Sequence, residues 1–306
     1  MSYHEPVLLN ECIEGLITDP NGVYVDATFG GGGHSRKILE KLGPEGQLHG
    51  FDQDEDALVN LPEDERLVFH HHNFSFLQQF LRLHRVSEID GLLADLGVSS
   101  HQFDTPERGF SYRFEAELDM RMNQQADLRA DTVLNTYEPD ALQLMFSQYG
   151  EVRNARTLAA RIVEAREHRP FRTVQDLIAV AEAVRRGQRN RYLAQVFQAL
   201  RIEVNDELGV LERLLEQAFE MLKEGGRLVV ISYHSLEDRA VKNFLRTGSV
   251  TGEVKKDFYG RIYRPFEILT RKAVVPDASE IERNPRAHSA RLRIGAKLLV
   301  DWPEDQ

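Results

Sequence analysis

The stretch Val25–Ser35, VDATFGGGGHS, sets four consecutive glycines between a short apolar run and a segment with helical spacing. Upstream, VYVDATF (23–29) reads as a strand. Downstream, HSRKILEKLG (34–43) puts Ile38, Leu39 and Leu42 on one helical face and stops at Gly43. Few folds use a strand, a glycine turn and a helix in that order: the bare turn lets backbone N–H groups approach a ligand, and the helix start favours negative charge. The sequence that follows keeps the alternation. GQLHGFDQD (46–54), RLVFHHHNF (66–74) and IDGLLADLGVSS (89–100) read as strands, with DEDALVNL (54–61) and FSFLQQFLRLH (74–84) as helices between them. This pattern predicts a parallel sheet covered on both faces, with ligands at the carboxyl ends of its strands.

Between about Gln102 and Asn205 the strand pattern stops. Amphipathic helical patterns replace it at 139–150, 154–168, 173–187 and 191–204, with Pro139 and Thr173 suited to helix starts and Gly150 and Gly187 to helix ends. A long amphipathic helix with a glycine stop follows (206–226), then a strand RLVVISYH (227–234), a helix SLEDRAVKNFL (235–245) and two strands, FEILTRK (266–272) and SARLRIGAKLLV (289–300). The expected architecture is an α/β Rossmann-like core of about seven strands, formed by residues 1–104 and 206–306. An all-helical substrate-recognition insertion, 105–205, interrupts it.

The turn chemistry selects among nucleotide-like cofactors. A dinucleotide fingerprint needs a third glycine inside the helix, where this chain has Ser35 or Arg36. S-adenosylmethionine, with a cationic sulfonium and an amino-acid tail, favours an acid at the end of the first strand, and Asp26 stands there. Asp52, at the end of the second strand, suits the ribose hydroxyls of either cofactor. Asp26 and the missing glycine therefore favour the methyl donor. Asp95 ends the fourth strand, where a transferred methyl and its acceptor should meet.

Net charge is −11, but it is unevenly spread. Residues 1–150 carry 10 Lys and Arg against 26 Asp and Glu, whereas 151–205 carry 11 against 6 and 239–300 carry 14 against 6. Two basic territories on an acidic chain leave a polyanion partner open, because counterion release needs only a local basic surface. The single cysteine, Cys12, excludes an intramolecular disulfide or a thiolate cage and is expected to serve packing. HHHN (70–73) places neighbouring imidazoles on opposite strand faces with no acid or Cys at ligand spacing, so no metal is expected. No apolar run spans a bilayer, and the first residues carry acids where a signal peptide needs basic groups. A cytoplasmic location with no membrane partner is the expectation.

HEPVLLNE (4–11), DATFGGGGHS (26–35), DLGVSS (95–100), RGFSY (108–112), LDMRM (118–122), RIEVNDEL (201–208), ISYHSLEDRAVK (231–242) and NPRAHSARLR (284–293) together resemble the MraW/RsmH family, in order and nearly end to end. The resemblance implies an S-adenosylmethionine-dependent methyltransferase acting on N4 of a cytidine in the decoding region of 16S ribosomal RNA, in the small ribosomal subunit or its precursor. It implies cofactor contacts from Gly32, Gly33, His34, Asp52, Phe74, Asp95 and Gln102. Related amino-methyltransferases grip the amine with a D/N/S-P-P-Y/F turn, whereas this chain has Asp95-Leu96-Gly97-Val98, which leaves the clamp on the target amine unassigned. Asp95 is the first candidate to accept an N4 proton, and Tyr233 and His234 are candidates to face a flipped base. Candidate RNA contacts are Arg108, Phe110 and Tyr112, then Arg185, Arg186, Arg189 and Arg191, then Lys255 and Lys256 with Arg261 and Arg264. Two alternatives stand beside this reading: a non-catalytic RNA-binding assembly factor on the same scaffold, and a methyltransferase for DNA, protein or a small molecule.

Overall fold

Residues 6–98 and 100–299 are described by the computed structural model. The chain divides into two compact units, one comprising residues up to Gly97 and from Leu208 onward, the other Val98–Glu207. In the first unit β1 (Val23–Asp26), β2 (Gln47–Phe51), β3 (Leu67–His70), β4 (Ile89–Asp95), β5 (Leu222–Ser232), β6 (Phe266–Ile268) and β7 (Arg291–Lys297) form one sheet. Its order is β3-β2-β1-β4-β5-β7-β6, parallel from β3 to β5, with β7 antiparallel to both β5 and β6. The chain runs outward from β1 through β2 to β3 on one side and from β4 to β5 on the other. The switch point, where such sheets open a crevice at their carboxyl ends, therefore lies between β1 and β4.

Both faces of the sheet are apolar, which is why these strands read as near-continuous hydrophobic runs. Val25, Leu92, Ala94, Leu228 and Val230 point to one face, against Leu211, Leu214, Leu215 and Ala218 of the helix Glu207–Met221 and Val241, Phe244 and Leu245 of the helix Ser235–Thr247. Their strand neighbours Tyr24, Leu93, Val229 and Ile231 point to the other. There they meet Cys12, Ile13 and Leu16 of the helix Leu9–Leu16 and Ile38 and Leu39 of the helix Gly33–Lys41. Cys12 lies wholly inside this layer, and burial pushes its thiol pKa well up.

Several expectations change at this level. Residues 54–61 form a 3-10 turn, Glu55–Asn60, in place of an α-helix: Leu58 and Val59 stay exposed, so no apolar stripe is available for burial. The long helix ends at Met221, ahead of its glycines. Leu222 already pairs with Ile89, and a β-irregularity accommodates the residues up to Arg227, which pairs with Gly91. The helix Leu9–Leu16 has no counterpart among the sequence expectations, although Cys12, Ile13 and Leu16 share one helical face.

The second unit is helical, with α-helices at Ala130–Thr136, Pro139–Gln148, Ala155–His168, Val174–Val184 and Arg189–Asn205. Ala130–Thr136 is too short for its pattern to stand out in sequence. Thr173 caps Val174–Val184 in a reciprocal box with Asp176. The core includes Leu134, Leu142, Phe146, Leu158, Ile162, Leu177, Leu193 and Val196. Asp119 and Arg121 pair through both carboxylate oxygens, at 2.8 Å each, and Asn205 bonds the backbone of Met120 and Met122, so LDMRM shapes a loop. Among the described residues no helix is long and apolar enough to cross a membrane.

HHHN turns out to be part of a buried imidazole pair: His70 Nε2 lies 3.0 Å from His49 Nδ1, with the His84 ring edge-on to both. Burial drives both pKa values down to about 4. The unfolded chain binds these protons near pH 6.5 and the folded chain refuses them until about pH 4, so stability falls as pH drops through that window. At pH 5 one such imidazole costs about 2 kcal/mol. Denaturant titrations at pH 7 and pH 5 should show a smaller acid loss in a His49→Leu/His70→Leu variant than in the wild type. Equal losses would show that the pair takes up protons as freely folded as unfolded.

Candidate active site

The glycine turn is built largely by the chain itself. Gly30 (φ +51°) and Gly32 (φ +73°) occupy the left-handed region. A Cβ on Gly33 would lie 2.2 Å from Pro6 Cγ, and one on Gly32 would lie 3.0 Å from the Phe29 ring. Gly32 and Gly33, expected to stay bare for a cofactor, are thus also required by Phe29 and Pro6. A Cβ on Gly30 would meet nothing closer than 3.9 Å, so the open part of the cradle is there. Asp52 Oδ2 accepts the Gly30 N–H at 2.7 Å, Asn60 Nδ2 donates to the Gly30 carbonyl at 3.2 Å, and Arg36 donates to the Gly31 carbonyl at 2.9 Å. Asn60, Arg36 and Pro6 carry no sequence signal for this task, since each acts across a turn set by the fold.

Asp26 is buried, with Oδ2 accepting the Ser35 hydroxyl at 2.7 Å and Oδ1 the Thr28 N–H at 3.1 Å. Burial raises its pKa. Asp26, expected to touch the cofactor, ties β1 to the helix that follows the turn. Asp52, half-buried at the end of β2, is pushed up to about 6, again by burial, and its oxygens hold the N–H groups of Gly30 and Asp54. Phe74 packs half-buried against the core at the start of a turn capped by Asn73, whose amide also bonds Gln53 next to Asp52. Gln102 is buried in the short helix Ser100–Asp104 of the second unit.

Asp95 is the centre of the arrangement. The Tyr233 hydroxyl donates to its Oδ1 at 2.7 Å, His34 Nδ1 lies 3.8 Å from its Oδ2, and its own N–H donates to Thr28 Oγ1 at 2.7 Å. About a fifth of its side chain (22%) remains open to solvent. Burial raises its pKa to about 6, against the lowering effects of His34 and the Tyr233 hydroxyl. Tyr233, half-buried and pressed against this carboxylate, has its own pKa raised well above the usual phenol value, by desolvation first and by the carboxylate second. His34 Nε2 sits 3.1 Å from the Val7 carbonyl, which only accepts, so Nε2 carries a hydrogen. The nitrogen facing Asp95 is then a lone pair or a second N–H, and a proton arriving at this pair has two adjacent sites.

His234, a candidate to face a flipped base, caps a helix. Its Nδ1 accepts the Glu237 N–H at 3.4 Å while Glu237 Oε2 accepts the His234 N–H at 3.4 Å, a reciprocal cap that starts the helix Ser235–Thr247, and the same oxygen accepts the Tyr233 N–H at 2.9 Å. The imidazole fixes the turn carrying Tyr233.

The RNA candidates also divide. Arg108 is buried, donating to the carbonyls of Arg121 (3.1 Å) and Met122 (2.9 Å), and Phe110 is part of the helical core, so neither offers a stacking face. Tyr112, edge-on to Phe197, shares a cavity of about 410 Å³ with Arg113, Gln175, Ile178, Arg189 and Asn190. Arg185, Arg186, Arg189 and Arg191 are exposed, and Arg189 pairs with Glu182. Lys256, Arg261 and Arg264 are exposed and Lys255 is half-buried.

The model of the MraW methylase family matches residues 1–298. The chain belongs to the MraW methylase family. It is 55% identical to the ribosomal RNA small subunit methyltransferase H of Flavobacterium johnsoniae, over 97% of this chain and 99% of that one. It is 52% identical to the protein of the same name from Bacteroides thetaiotaomicron, over 97% and 98%. As a member of the MraW methylase family the chain is an S-adenosylmethionine-dependent methyltransferase. Its residues fit that cofactor: Gly30 leaves a cradle that a side chain would fill, and Asp52 borders it with a half-buried carboxylate.

Proposed function

We propose that this ribosomal RNA methyltransferase transfers a methyl group to N4 of a cytidine in the decoding region of 16S ribosomal RNA, within the small subunit or its precursor. The observation that carries the reading is the Asp95 carboxylate, held at the carboxyl end of β4 between the Tyr233 hydroxyl and the His34 imidazole and still partly open to solvent. Gly30 and Gly31 with Asp52 would hold S-adenosylmethionine, with Phe74 bordering the adenine side. When bound, it supplies a methyl group made electrophilic by its sulfonium.

The lone pair on cytosine N4 is delocalised into the ring. Asp95, by accepting an N4 hydrogen, orients the amine and favours localisation of that pair. Alignment of this kind supplies much of the barrier reduction in such a transfer. With the donor bound, Asp95 would take the proton lost by N4 as the methyl group passes to the amine, with the His34 nitrogen adjacent. Tyr233 fixes the carboxylate by holding Oδ1, while lone pairs on both oxygens remain for the amine. The mechanism needs no covalent bond to the ring, and Cys12, the chain's one cysteine, is locked in the core.

The test is mass spectrometry of nucleosides from small-subunit RNA incubated with the protein and labelled donor, run on naked RNA, precursor particles and assembled subunits. Label on cytidine N4 supports the proposal; label elsewhere, or on none of the three substrates, overturns it. The active form has Asp95 ionised, so kcat/KM should rise with pH through about 6. Tyr233→Phe removes a group that lowers the Asp95 pKa. Its acid limb should move to higher pH, and kcat should fall about ten- to hundredfold with donor affinity retained. An unchanged pH profile would remove Tyr233 from the positioning of Asp95.

A further inference from the structure

Between the helix Ser235–Thr247 and β6 the chain projects a short two-stranded finger. Lys256 and Ile262 form an antiparallel bridge, Asp257 N–H donates to the Arg261 carbonyl at 3.0 Å, and Tyr263 N–H donates to the Lys255 carbonyl at 3.0 Å. The tip is fixed by its own chemistry: Asp257 Oδ1 accepts the N–H groups of Tyr259 (2.9 Å) and Arg261 (2.8 Å), and Gly260, at φ +80°, closes the turn. On that tip Phe258 is 97% exposed and Tyr259 83% exposed, their ring centroids 5.6 Å apart and their planes near perpendicular at 88°.

Two aromatic rings held out in water on a hydrogen-bonded turn contribute little burial to this chain. Below them the finger is anchored by buried Tyr263 and Phe266. Near the rings in sequence are the exposed cations Lys256, Arg261 and Arg264, whereas Asp257, the acid of the tip, has one oxygen committed to the turn. Exposed rings with cations beside them in the chain have the chemistry of a site for an unpaired base and its flanking phosphates: the rings stack, the cations hold the backbone, and neither selects sequence strongly. An anionic membrane surface also attracts basic and aromatic groups. Interfacial anchoring, however, draws on a broad apolar face, and among the described residues the finger adds only the partly exposed Val254 and Ile262 to its two rings.

We propose that the Phe258–Tyr259 finger is a second RNA contact, separate from the Asp95 site, which stacks unpaired bases and grips their phosphates through Lys256 and Arg261. The proposal deepens the ribosomal RNA reading and rests on it for the identity of the RNA.

The experiment compares wild-type protein with Phe258→Ala/Tyr259→Ala, Lys256→Glu/Arg261→Glu and the conservative Phe258→Trp/Tyr259→Phe. The probes are a single-stranded RNA oligonucleotide, a duplex of the same sequence, and vesicles of phosphatidylcholine with phosphatidylglycerol. The alanine variant should bind the single strand about ten- to hundredfold more weakly and show raised KM for RNA, with kcat and donor binding unchanged. The glutamate variant should flatten the dependence of binding on salt, and the tryptophan–phenylalanine variant should bind like the wild type. Unchanged single-strand affinity in the alanine variant overturns the proposal, as does an alanine effect seen on vesicles and not on RNA. If the wild type fails to label cytidine N4 while the alanine variant still loses RNA, the reading of the reaction falls and the finger stands. If labelling succeeds and the variant binds RNA normally, the finger falls alone.

Discussion

Asp95→Asn should abolish nearly all methyl transfer, by about 10²- to 10⁴-fold in kcat, while making the unliganded protein more stable at neutral pH. The two effects share one cause. Burial raises the carboxyl pKa to about 6 from a reference near 4, so the folded chain holds this proton more tightly than the unfolded chain. Stability contributed by that proton is present at low pH, declines as pH rises from about 4 to about 6, and is gone above. A neutral amide removes the penalty, which amounts to about 2–3 kcal/mol at pH 7.5. The amide oxygen still accepts the Tyr233 hydroxyl, so packing is kept. Its nitrogen, however, cannot take a proton from N4. Melting curves at pH 5 and pH 7.5, beside single-turnover rates, check both halves: the stabilisation should appear at pH 7.5 and shrink at pH 5. A variant that is less stable than wild type at pH 7.5 would show that the carboxylate is held by its partners more favourably than it is penalised by burial.

The sheet was legible because its information is local and periodic. Leu92, Leu93 and Ala94 make β4 apolar on both faces, and Ile38 and Leu39 mark the covering helix, so strand and helix types follow from neighbours in sequence. Position within a site is another matter. Asp52 and Asp95 end strands, and strand ends are visible; Tyr233 reaches Asp95 only because β4 and β5 pair with Asp95 opposite Ile231. Arg108 and Phe110 show the converse. A guanidinium and a ring two residues apart look like a stacking surface in sequence, yet the ring is core and the guanidinium satisfies two carbonyls. The cap that His234 makes with Glu237 is likewise a matter of the helix it starts, which the sequence motif alone does not display. Phe258 and Tyr259 passed unnoticed because two aromatics in a loop are indistinguishable from core residues until their exposure is known.

The largest expected loss of stability belongs to Arg293, in the strand that joins β5 to β6. Its Nε and Nη2 meet Asp238 Oδ1 and Oδ2 at 2.7 and 3.1 Å, and both residues are buried. Arg293→Met leaves a buried carboxylate without its bidentate partner, a change that costs about 3–5 kcal/mol in the general case. Two features place this protein at the lower end. Asp238 lies in the first turn of the helix Ser235–Thr247, where the helix dipole favours negative charge, and Arg291 Nη1 stands 3.8 Å from Oδ2. The consequence extends to the site. The same helix turn presents Glu237 to the Tyr233 N–H, so loosening its anchor on β7 loosens the hydroxyl that holds Asp95. Denaturant midpoints should therefore fall for Arg293→Met and recover substantially in Asp238→Leu/Arg293→Met, where no charge is left unpaired. Activity should fall in the single variant beyond what its unfolded fraction explains. A stability loss under about 1 kcal/mol would mean that Arg291 and water replace Arg293 completely, and that the pair does not anchor the helix.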